Sequence, residues 1–235
     1  MKLNILYEDQ EIIIVVKPAG VPSQSDKSMA PDMVSYLKNE IYQRTGKTNP
    51  YLAIVHRLDR GVSGVMVFAK TKEAAAVLSK QIQENEMNKR YVAVVSAGLE
   101  PMPQGEFIKL RDYLVKDGRT NLSRVALVGE KDAKEAILEY RVVDTKPIKE
   151  GQASLIDVKL YTGRHHQIRL QLREHVAGIW GDTKYNAQFK QVRGWNNIAL
   201  SSYCLEFKHP KTKKDMKFIS FPSGYPFDMF ESERL

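Results

Sequence analysis

Apolar residues recur along this chain in two rhythms, every second residue and every third or fourth. The segment LNILYEDQEIIIVVKPAGVPS reads as two short strands joined at Glu8-Asp9-Gln10 and ended by a Pro-Ala-Gly-Val-Pro turn that neither can continue. In VHRLDRGVSGVMVFAKT, Val65, Val67 and Ala69 alternate with Met66, Phe68 and Lys70, an apolar run suited to a strand covered on both faces. Further strands are predicted over 91–96, 136–143, 153–161, 198–207 and 216–221. The basic turn TKPIKEG separates the middle pair, and HPKTKK closes the last two into a hairpin. Helical spacing appears twice. Val34, Leu37 and Ile41 behind an Asp32 cap predict a helix over 33–44 stopped by Gly46, and a Thr71 cap opens one over 72–86 with Ala75, Val77, Leu78 and Ile82 as its buried stripe. The stretch 99–129, with Pro101, Pro103, Gly105 and Gly118, is polar and irregular, and reads as a surface insertion or hairpin over the core.

One segment carries both rhythms. In GRHHQIRLQLREHVAG, Ile168, Leu170 and Leu172 alternate with Arg169, Gln171 and Arg173, as in a strand. Helix is nevertheless expected, because Thr162-Gly163 and Gly178 bracket a short run of good helix formers. On a helix, Arg169 and Arg173 lie one turn apart on one face.

With no repeat, linker or low-complexity tract, a single domain over 1–235 of mixed α and β type is expected, and 43% hydrophobic residues suffice for its core. Thirty-six Lys plus Arg against 28 Asp plus Glu give a net charge of +8, which fits a protein that meets phosphates and equally a plain soluble basic protein. Cys204 is the single cysteine, so no intramolecular disulfide forms. Charges at Glu8 and Asp9 interrupt any signal-peptide core, and the early apolar run 12–16 is too short to span a bilayer. A cytoplasmic protein with no membrane association is expected.

Asp59, between Arg57 and Arg60 and just before Gly61, is the sharpest chemical candidate. Opposite charges keep such a carboxylate ionised while it stays approachable, which suits a nucleophile or general base; the plain alternative is a loop ion pair. Lys89 and Arg90 precede Tyr91 at the head of an apolar strand, which pairs cations for phosphates with a ring for stacking; the plain alternative is a tyrosine packed in the core. Arg164, His166, Arg169 and Arg173 form a third, basic cluster beside His165. The five histidines show no metal-ligand spacing, and no Walker loop, GxGxxG or GxSxG occurs, so no metal or nucleotide cofactor is expected.

The ordered set ILYEDQEIIIVVKPAGVPSQ, HRLDRGVSGVMVFAKT, KRYVAVVSAG and TGRHHQIRLQLREHVAGIWGDTKY resembles the RluA-type pseudouridine synthases over residues 5–221. The resemblance implies an α+β fold, a mixed and mainly antiparallel sheet flanked by helices, and cofactor-free isomerisation of uridines in ribosomal or transfer RNA. It implies that Asp59 is the catalytic aspartate, that Tyr91 packs on the target base, that Arg169 pairs with the Asp59 carboxylate, and that Arg57 enters the gap left by the flipped nucleotide. Arg60, Lys89, Arg90, Arg164, His166 and Arg173 are expected to bind RNA. No motif points to an obligate protein partner. Some members carry an S4-type domain ahead of the catalytic one, and a stand-alone catalytic domain is expected here.

Two departures stand out. Many members read DxxTSG from the aspartate, whereas Val62 precedes Ser63-Gly64 here, and Leu200-Ser201-Ser202 replaces a frequent Leu-His-Ala. Two other readings compete. A catalytically silent RNA-binding protein would lack the aspartate or the tyrosine, and a glycosidase-like hydrolase would pair Asp59 with a second carboxylate, which its motif does not supply.

Overall fold

The computed structural model describes residues 1–25, 30–149, 151–192, 197–231 and 234–235. In chain order its elements are β1 (Asn4–Glu8), β2 (Ile12–Lys17), α1 (Met33–Thr45), β3 (Ala53–Ile54), β4 (Ser63–Ala69), α2 (Lys72–Gln83), β5 (Asn88–Val95), β6 (Ile108–Asp117), β7 (Leu122–Ala126), β8 (Lys134–Ile148), β9 (Gly151–Leu160), α3 (Gln167–His175), β10 (Leu200–Lys208) and β11 (Asp215–Ile219). The chain divides into two compact units, Met1–Asn88 with Ser202–Phe221 and Lys89–Ser201 with Pro222–Leu235. Each is assembled from separated stretches of chain, so no linker marks a boundary between them. The architecture is α+β, with antiparallel strand pairs and flanking helices.

In the first unit the strand order is β1-β2-β4-β10, with β3 added to β4 and β11 to β10. Residues Ile12, Ile13, Ile14 and Val15 of β2 are all fully buried, which is why this strand reads as an unbroken apolar run. Ile12, Ile14, Val65, Val67 and Ala69 share a core with Ala74 and Leu78 of α2 and with Leu205 and Phe207. Helix α1 starts where Asp32 accepts a 2.7 Å bond from the Ser35 amide and stops at Gly46, left-handed at φ 69°. Helix α2 starts at the Thr71 cap but ends earlier than expected, because Asn85 turns the chain at φ 57°. Its buried positions are Ala74, Leu78 and Gln81, with Ala75, Val77 and Ile82 only half-buried. Gln81 is inside because its amide accepts from Lys208 N at 2.9 Å and donates to Lys208 O at 2.8 Å, a full peptide-like pairing.

In the second unit the order is β5-β9-β8-β6-β7. Most of the expected turn TKPIKEG is strand: β8 and β9 stay in register to Ile148 opposite Gly151, past an irregularity between Val142 and Asp144. Thr145 anchors that stretch, its hydroxyl donating to Leu99 O at 2.6 Å. Glu150, at the tip, lies outside the described residues. The irregular segment 99–129 contains the β6–β7 hairpin, and β6 also pairs with β8, so it extends the sheet instead of lying over it. Segment 167–175 is helical, and the reason for its double rhythm is now visible. Gln167, Ile168, Arg169, Leu170, Gln171 and Leu172 are all buried, so α3 has no solvent face over its first six residues.

Candidate active site

The loop carrying Asp59 is held by its main chain. Leu58 and Val62 point inward, Arg57 is exposed and Asp59 is half-buried. The buried Ser23 hydroxyl grips Leu58 on both sides, donating to its carbonyl at 2.7 Å and accepting from its amide at 3.1 Å. The Gly20 amide donates to Arg60 O at 2.8 Å, and Arg60 Nε returns a bond to Gly20 O at 2.9 Å. Val62 N closes a turn on Asp59 O at 3.0 Å. Upstream, His56 Nε2 accepts from the Val67 amide at 3.1 Å, so in the neutral ring the proton sits on Nδ1.

Beneath this loop lies Lys17, the last residue of β2, with no exposed surface. Its ammonium donates to Val21 O at 2.8 Å, Pro18 O at 3.0 Å and Arg60 O at 3.2 Å, joining the Pro-Ala-Gly turn to the residue after Asp59. Burial pushes its pKa down to about 7; the Asp59 carboxylate favours the charged form and Arg60 opposes it. The fold also fixes the end of the loop. Gly64 sits at φ 128°, and a Cβ there would lie 2.3 Å from Ser202 O, so only glycine lets β4 approach β10 this closely.

In the second unit, Tyr91 near the start of β5 lies opposite Val158 of β9 and is 6% exposed. Its two neighbours are less available than their sequence suggests. Arg90 bonds the fully buried Asp157, which also attracts Arg141 at 3.5 Å, and burial lowers the Lys89 pKa. Arg169 is 4% exposed and grips Asp182 with two bonds, Nε to Oδ2 at 2.7 Å and Nη2 to Oδ1 at 2.8 Å. Its guanidinium also lies over the Tyr185 ring, 5.2 Å from the centroid.

His166 differs from the RNA-facing ring that was expected. It is buried, left-handed at φ 55°, and its Nδ1 lies 2.9 Å from Tyr185 OH, which accepts from the Ser123 amide at 2.7 Å. Burial, reinforced by Arg169, pushes its pKa down to about 2, so the ring is neutral where it hydrogen-bonds the tyrosine hydroxyl. Arg164 is exposed and gives its Nε to Glu135 O at 2.7 Å, while Arg173 is exposed and pairs with Glu174. The first unit thus gathers Arg57, Asp59 and Arg60 on one loop. The second gathers Arg164, His166, Arg169 and Arg173 on α3 and its approach, and Lys89, Arg90 and Tyr91 on β5.

Sequence reasoning missed Lys17, Ser23, Asp182 and Tyr185. For Lys17 the signal was a charge closing a five-residue apolar run directly before proline; for Asp182 it was an acid two residues after a tryptophan in a basic segment. Among the described residues no group of three or more His, Cys, Asp or Glu is placed to hold a metal, and no helix is long and apolar enough to cross a membrane.

A half-buried carboxylate, in a loop held through its main chain that also carries Arg57 and Arg60, is a candidate for nucleophilic or general-base chemistry. The model of the RNA pseudouridylate synthase family matches residues 11–174, and this chain belongs to that family. It is 30% identical over 238 residues to ribosomal large subunit pseudouridine synthase D of Zymomonas mobilis, covering 97% of this chain and 70% of that one. It is 31% identical over 229 residues to tRNA pseudouridine synthase C of Haemophilus ducreyi, covering 90% of this chain and 88% of that one. The chain spans about two thirds of the length of several curated relatives it matches. The solved structure of human RNA pseudouridylate synthase domain containing 1 aligns with a TM-score of 0.71 at 19% identity, over 94% of this chain and 84% of that one, and so shares the fold.

Proposed function

We propose that this protein isomerises selected uridines of ribosomal or transfer RNA to pseudouridine, with Asp59 as the catalytic carboxylate. The observation that carries the reading is the main-chain clamp of Lys17, Ser23 and Gly20 around Leu58 and Arg60, which fixes a half-buried aspartate beside an exposed arginine. In the reaction the C1′–N1 bond breaks, uracil turns, and C5 bonds to C1′; C5 then loses its proton and N1 gains one, so the product is an isomer and no oxidant or reductant is needed. Asp59 acts at the ribose, either attacking it or assisting its deprotonation, and both routes require the ionised form. Arg169 pairs with that carboxylate, Tyr91 packs on the uracil, and Arg57 fills the space of the extruded nucleotide, offsetting a few kcal/mol of unstacking.

The test is Asp59→Ala, assayed for pseudouridine and for RNA binding in parallel, on RNA whose modified positions have been mapped in cells with and without the protein. Pseudouridine formation is lost while folding and most affinity persist, because phosphate contacts supply the binding and an anion facing a polyanion does not. A folded variant that still isomerises uridine at a comparable rate makes Asp59 structural and overturns the reading.

A further inference from the structure

The second unit contains a cleft of about 500 Å³ between the β6–β7 hairpin, the C-terminal turn of α3 and the chain that follows Asp182. Leu122, Leu170 and the Tyr185 ring form part of its lining, and Arg124, Arg173, Lys184 and Lys190 stand around them. We infer that this cleft is a subsite for one nucleotide of the RNA strand flanking the target uridine, with the base against the apolar and aromatic lining and the phosphates on the cations. This inference rests on the RNA reading above and extends it from Arg173, already expected to bind RNA, to a cleft whose other lining residues had no assigned role.

Three features carry it. The first is charge: four cations against a single lining acid, Glu174, which is paired with Arg173, while Arg124 is paired with Glu130 outside the lining. Lys190 is exposed at the rim, where its ammonium is open to a phosphate. The second is chemistry: a ring and aliphatic surface bordered by cations is how proteins hold a single-stranded nucleotide, the base stacking while the backbone is neutralised. The volume lies within the range of pockets for ligands of nucleotide size.

The third is that the walls are held before any ligand arrives. The Asn186 amide donates to Gly178 O at 3.1 Å, Ile179 O at 3.0 Å and Ser96 Oγ at 3.0 Å, locking the two sides of the 178–186 turn. Lys184 Nζ ties that turn to Asn121 O at 2.8 Å, and Tyr185 is fixed through Ser123 and His166. A preformed site loses little ordering entropy on binding. Tyr185 also carries Arg169 on its ring face, so the subsite shares a wall with a residue proposed to act in catalysis.

The experiment uses the full chain and a fluorescein-labelled oligouridylate, with affinity followed over a KCl series. Each phosphate contact to a single strand contributes about 0.7 to the slope of log affinity against log salt, so Lys190→Glu and Arg173→Gln each lower the slope by about 0.7 and the double variant by about 1.4. Lys80→Glu, on α2, leaves the slope unchanged. An oligouridylate carrying one 4-thiouridine crosslinks, on irradiation, to the peptide containing Tyr185 and Lys190. An unaltered slope in both cleft variants, an equal change in Lys80→Glu, or crosslinks confined to other peptides overturns the inference. Protection of that peptide by uridine monophosphate alone as strong as by the oligomer assigns the cleft to a free nucleotide and also overturns it. Binding is read without turnover, so absence of pseudouridine from the wild-type reaction would count against the catalytic reading and not against the cleft.

Discussion

Arg169 and Asp182 form a two-bond ion pair that is almost wholly removed from solvent, and each is the condition for burying the other. Asp182 further accepts the amides of Lys184 at 2.9 Å and Tyr185 at 3.1 Å, so one carboxylate aligns both the guanidinium and the turn beneath it. Asp182→Ala takes these two ion-pair bonds from a buried cation, and a loss of about 3–5 kcal/mol is expected in denaturant unfolding. Asp182→Asn keeps an acceptor for the two amides and loses less stability, but its pseudouridine formation falls, because Arg169 is no longer held in one direction.

Lys17→Met leaves the carbonyls of Pro18, Val21 and Arg60 without their buried donor, for an expected loss on the order of 2–3 kcal/mol. The pH dependence has a definite sign. Between about 7, the folded value, and the ordinary 10.5, the unfolded chain holds the lysine proton and the folded chain has released it. The stability of the wild type relative to Lys17→Met therefore rises as pH climbs through that window. Urea unfolding of both proteins from pH 7 to pH 10 measures this, and a constant difference would contradict it.

His166 sets the opposite limb. Its pKa falls from 6.5 to about 2 on folding, so below 6.5 the unfolded chain binds a proton that the native chain refuses, and stability declines as pH falls. His166→Asn, which tolerates the left-handed backbone, flattens that acid limb in melting curves. In wild-type protein the His166 imidazole signals, followed by NMR, do not titrate between pH 5 and 8.

Gly64→Ala places a methyl group against backbone at 2.3 Å in a conformation that L-residues avoid, so β4 and β10 must separate. Thermal melting is expected to show a loss of more than 2 kcal/mol, well above the roughly 1 kcal/mol usual for a point change.

Much of this was legible in the chain because charge and periodicity carry local information. Asp59 stood out as a candidate by its two flanking arginines, and both long helices were announced by their Asp32 and Thr71 caps. Lys17 did not, because a lysine closing a strand reads as the point where the chain meets water, and only the fold shows three carbonyls converging on it. His166 read as a potential cation because neighbouring basic residues suggested a charged face, whereas burial against Tyr185 makes it neutral. The stripe on α2 was misjudged at Gln81 for a related reason: a polar side chain is buried when a strand terminus, distant in sequence, supplies both of its bonds.

The clamp on the Asp59 loop meets peptide groups, those of Leu58, Arg60 and Gly20, and leaves the Arg57 side chain uninvolved. On the reading proposed above, a change at Arg57 alters how the extruded nucleotide's place is filled while the carboxylate stays where the clamp holds it. On that reading the extrusion of the nucleotide and the chemistry at the ribose are open to separate inheritance, since one can vary at Arg57 while the clamp that positions the other is untouched.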